Sequence, residues 1–107
     1  MQTGEHDATV AVVGCGGYDQ DEVDAAVGRA VDILGGMGRF IAPGGTVLLK
    51  PNLLQGQDPE RCVTTHPAIV AAVARLIAAQ GCRVVIGDSP GAGIIYSEGS
   101  LRRAYAR

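Results

Sequence analysis

Seven residues whose types suit the holding of a small molecule fall into three short blocks. Lys50 and Asn52 lie in "KPNL", Thr64, Thr65 and His66 in "TTHP", and Asp88 and Ser89 in "GDSPG". An ammonium, a carboxamide and two hydroxyls beside a helix-starting proline match the needs of a phosphate or carboxylate, because helix N-termini offer free N–H groups and a positive dipole end. "GDSPG" also fits G-x-S-x-G, the pattern of a serine nucleophile on a strand-to-helix elbow. Its chemistry fails at the next residue. Pro90 has no N–H to stabilise an oxyanion, and it holds Ser89 in extended conformations. The second histidine, His6, lies in a polar tail. A serine hydrolase is the least favoured alternative, and Asp88 and Ser89 are expected to serve as ligand-binding groups at a rigid strand exit.

Each candidate has a plainer reading. Thr64 or Thr65 can simply cap a helix, with Lys50 paired to Asp88 on a neighbouring strand. One cap explains one threonine and leaves the rest of the set unexplained, so both readings stand. Lys50 is the only lysine among nine basic residues, a hint that a compact ammonium is required there. His66 suits acid–base or ligand work, though a single histidine before a helix-initiating proline more often serves structure. A dinucleotide site at "GCGGYD" is not expected. Asp19 replaces the third glycine, and Asp19, Asp21, Glu22 and Asp24 would repel a pyrophosphate.

These groups need elements to position them. "ATVAVVGC" (8–15) is β-branched and apolar, the pattern of a strand buried on both faces. A helix follows, with Asp19 as N-cap, Glu22 three residues on, and an apolar stripe of Val23, Val27, Ala30, Val31 and Leu34. Gly35 and Gly36 end it. "TVLLKPNL" (46–53) reads as a second strand, 66–81 as a second helix with Pro67 in its first turn, and "RVVIGDSP" as a third strand. This order predicts a three-layer, Rossmann-like βαβαβ domain with a parallel sheet. Ligands of such sheets bind at the carboxyl ends of the strands, where the three blocks would meet.

Bulk properties narrow the field. With 47% hydrophobic residues in 107, the chain can build a core, and residues 8–107 are expected to form one domain after a disordered tail at 1–7. A net charge of −2 and no basic stripe speak against nucleic-acid binding. No apolar run is long enough to cross a bilayer, and no signal peptide is visible, so a cytoplasmic, non-membrane protein is expected. Cys15 and Cys62 belong near the carboxyl edge and Cys82 at the opposite edge. No metal site is expected from them. A three-stranded sheet has exposed edges, so the chain is expected to be the N-terminal portion of a longer protein. The remainder of that protein, or a homo-oligomer, would cover the edges.

The blocks K-P-N-L, T-T-H-P and G-D-S-P-G, in this order, resemble the family called domain of unknown function 362, over about residues 8–103. The resemblance implies an uncharacterised bacterial or archaeal protein, many of whose relatives are redox-linked and carry a ferredoxin-like [4Fe–4S] segment. The cluster run C-x-x-C-x-x-C-x-x-x-C does not occur here, so no cofactor is expected in this chain and a cluster would belong to the portion that follows. The expected function is binding of a small anionic ligand by Lys50, Asn52, Thr64, Thr65, His66, Asp88 and Ser89. The alternative is a non-catalytic scaffold or assembly domain.

Overall fold

The computed structural model describes residues 8–52, 58–62 and 64–88. Helix α1 spans Gln20–Ile33. Its start is set by local chemistry: the Asp19 carboxylate accepts from the Glu22 N–H at 3.3 Å, and Asp21 and Glu22 place negative charge at the positive dipole end. Its end is set by Gly35 and Gly36, whose φ values of 106° and 86° lie where side-chain-bearing residues are strained. Arg39 then donates to the Leu34 carbonyl at 2.9 Å, satisfying one of the free carbonyls of the last turn.

Strand β1, Thr46–Leu49, pairs in parallel with strand β2, Arg83–Ile86, and helix α2, Pro67–Ala79, connects them. This is one complete βαβ unit. Val47 lies opposite Val84, and Leu49 opposite Ile86. Val47, Leu49 and Val84 are half-buried on the side that α2 covers, whereas Leu48 stays 63% exposed.

The fold is α/β, with two helices and a small two-stranded parallel sheet. The expected first strand is not part of it. Residues 8–15 follow the period-two pattern of an extended chain from Val10 to Val13, with Ala11 and Val13 half-buried and Val10 and Val12 exposed. No backbone hydrogen bond links this segment to β1 or β2 among the described residues. Ala11, Val12 and Val13 line a hollow together with Val23, Ala26, Val27 and Ala30 of α1, and Val12 is still 87% exposed. The βαβαβ arrangement with three strands is therefore not what the described residues form.

The core sits between the helices. Val23 of α1 packs with Ala68 and Ala72 of α2, flanked by Val27 and Ile69. Small alanines let the two helix backbones approach closely, so burial is achieved without large side chains. Polar ties fix the register. Gln20 Nε2 donates to Asp24 Oδ1 at 2.7 Å and to the Ala68 carbonyl at 3.0 Å, and Arg75 pairs with Asp24.

Candidate functional site

β1 ends at Leu49 and β2 at Ile86, so the residues just beyond them emerge at the same end of the sheet. Lys50 comes first. Its ammonium donates to Asn52 Oδ1 at 3.0 Å and lies 3.5 Å from Asp88 Oδ1. The pairing is asymmetric, with the Lys50 side chain 62% exposed and that of Asp88 only 8%. A buried carboxylate thus steers a cation whose outer side remains open to solvent. Solvent screening makes the pair worth little for stability, but it fixes where the charge stands.

The backbone brings α2 to the same place. The Thr65 N–H donates to the Asn52 carbonyl at 3.2 Å, tying the segment after β1 to the approach of α2. Neither threonine caps that helix. Its N-cap is His66, whose Nδ1 accepts from the Ala68 N–H at 3.1 Å. Pro67 is the first helical residue, which sets the cap at position 66 and leaves both threonines upstream of it. Because Nδ1 is an acceptor, the neutral ring carries its proton on Nε2.

Thr64 is the most unusual member. It is 7% exposed, and its Oγ1 is buried with no hydrogen-bond partner among the described residues. A buried hydroxyl without a partner costs roughly 1–3 kcal/mol. In contrast to α1, the first turn of α2 has no acidic residue, so no carboxylate of its own neutralises the positive dipole end. Between β1 and α2 lies a cavity of about 190 Å³. Lys50 and Thr65 supply its polar lining, and Leu49, Pro51, Ile69, Val70 and Val73 the rest.

Lys50, Asn52, Thr65 and Asp88 are thus brought together by direct contacts, with Thr64 and His66 adjacent along the chain. Ser89 lies outside the described residues. Two contributors were not legible as site residues. Tyr18 stacks on the His66 ring with centroids 3.8 Å apart and planes at 9°, and Gln20 holds the first turn of α2 through Ala68. The signal for Tyr18 was its rarity, since the chain has three Tyr, one Phe and no Trp.

A [4Fe–4S] cluster takes four thiolates, and the chain has three cysteines. Cys82, between α2 and β2, is buried and donates to the Ala42 carbonyl at 3.1 Å, while Cys15 and Cys62 are exposed. These residues do not fit such a cluster within this chain. Among the described residues, no group of three or more His, Cys, Asp or Glu is placed to hold a metal ion. Among them, too, no helix is long and apolar enough to cross a membrane.

All seven site residues fall within residues 47–107, the span matched by the family model described as Domain of unknown function (DUF362). The chain belongs to that family. The DUF362 chain is also similar to the thylakoid-associated protein sll1697 of Synechocystis sp., with 46% identity over 76 residues. That alignment covers 71% of this chain and 24% of the relative, so the chain spans about a quarter of the length of the curated relative it matches. No solved structure matches it.

Proposed function

We propose that this DUF362 domain binds a small anionic ligand, phosphate or carboxylate, at the carboxyl end of its sheet. Lys50 supplies the charge, held in place by Asn52 and Asp88. The positive dipole end of α2 adds to that charge, and the hydroxyls of Thr64 and Thr65 supply directional donors. His66 orients that helix start through its cap, and Ser89 would extend the same edge. The observation that carries the reading is the Thr64 hydroxyl, buried without a partner among the described residues at the approach to α2. Native structures rarely leave such a group unsatisfied, and a ligand oxygen is a partner that the Lys50 ammonium also calls for. The redox link comes from the family resemblance, and any cluster would be held by residues other than these three cysteines.

The test is ligand-dependent stability. A ligand that binds only the folded chain raises its stability by about 2.7 kcal/mol at one hundred times its Kd. Phosphate and acetate should each raise the melting temperature of the chain by a saturable amount, and Lys50→Met should abolish the rise. An unchanged rise in Lys50→Met refutes the site. A second reading, an assembly domain whose sheet is covered by more of the protein or by another copy, is favoured by exposed Val10, Val12, Leu48 and Ile86. It predicts no specific anion effect and a concentration-dependent oligomeric state.

A further inference from the structure

The shape and charge of the site narrow the class of anion, given that it binds an anion at all. The open cavity between β1 and α2 is lined by Lys50 and Thr65 at the sheet edge and by residues as far along α2 as Val73. Five of its seven lining residues are apolar. Phosphate has no use for such a wall, because all its oxygens seek donors. An aliphatic tail does, since burial against Leu49, Ile69 and Val73 removes it from water. At about 30 Å³ for a water-sized group, 190 Å³ gives room for roughly four to six carbon atoms.

Charge points the same way. Asp88 lies 3.5 Å from the Lys50 ammonium, so the pair is formally neutral before a ligand arrives. A single negative charge can share Lys50 and the dipole of α2. A second would face the buried Asp88 carboxylate at short range, where repulsion is poorly screened. We propose that the site takes a monocarboxylate with a short unbranched aliphatic tail, the carboxylate on Lys50 and the tail in the cavity. This rests on the anion-binding reading above.

The experiment is a calorimetric titration of the chain with acetate, butanoate, hexanoate and inorganic phosphate, with butylammonium as the control for charge. Affinity should rise about fourfold for each added CH₂ until the cavity is full, and butanoate should bind tighter than phosphate. Val73→Leu, which adds one methylene to the wall, should weaken hexanoate and leave acetate unchanged. Asp88→Asn should shift the preference toward phosphate. Equal affinities for the three carboxylates, with phosphate as tight or tighter, would overturn the tail assignment and leave the anion site standing. Butylammonium binding as tightly as butanoate would overturn it as well. Absence of binding by every anion would remove the anion site itself.

Discussion

Replacing Thr64 by valine separates a hydroxyl kept for a ligand from one kept for the fold. The substitution exchanges a hydroxyl for a methyl of nearly the same shape at a position only 7% exposed. Thr64 Oγ1 has no partner among the described residues, so removing it relieves a desolvation cost of roughly 1–3 kcal/mol. An unfolding entropy of about 2.1 cal/mol/K per residue over 107 residues gives about 0.22 kcal/mol/K. A gain of about 1 kcal/mol then raises the melting temperature by roughly 4–5 °C. With the anion bound the sign reverses. A hydrogen bond to a charged oxygen contributes about 1.5–3 kcal/mol, so Thr64→Val should weaken phosphate or acetate roughly 10- to 150-fold. The assay is differential scanning calorimetry with and without ligand, paired with isothermal titration. A lower melting temperature in unliganded Thr64→Val would show that the hydroxyl already has a partner. Unchanged anion affinity would show that it does not reach the ligand. Either result refutes the reasoning.

Two further predictions concern the frame that holds the site. His66→Ala removes the α2 cap and should lower stability by about 1 kcal/mol, read as a fall in melting temperature; His66→Asn, a strong N-cap former, should recover much of it. Gly35→Ala places a Cβ 2.9 Å from Arg39 Cδ at a φ of 106°, so chemical denaturation should show a loss of about 1–2 kcal/mol with an unchanged m value.

The parts of this molecule that local chemistry decides were legible in the chain. Asp19 with Glu22 three residues on announced the start of α1, and Gly35-Gly36 its end, because both signals act within one turn. The pairing of Lys50 with Asp88 followed from two strands ending at one edge. The cap of α2 was misread although the signal was present. Pro67 favours the first helical position, which makes His66 the cap, whereas polarity alone drew attention to the two threonines. Segment 8–15 failed for a different reason. Its run of valines states that these residues avoid water, not which edge they pair with, and pairing depends on residues far away in the chain. Ala11 and Val13 are half-buried while Val10 and Val12 stay exposed, so half of the pattern is used.

The two helix starts show why the site belongs where it does. The two starts lie side by side, with Tyr18 before α1 stacked on the His66 cap of α2. At α1, Asp19, Asp21 and Glu22 already answer the positive dipole end, so an anion arriving there would meet three carboxylates. At α2 the cap is the Nδ1 of His66 and the first turn carries no acid, so no carboxylate of the first turn answers the dipole end there, with Lys50 brought close through Asn52. The glycine-rich turn before α1 therefore contributes in another way. It delivers Tyr18 onto the His66 ring, and Gln20 of the helix it opens grips the Ala68 carbonyl. A sequence scan that looks for phosphate loops by their glycines would stop at residues 14–17. The charges on either side of each helix start favour α2 for the proposed anion site and leave the glycine turn as its support.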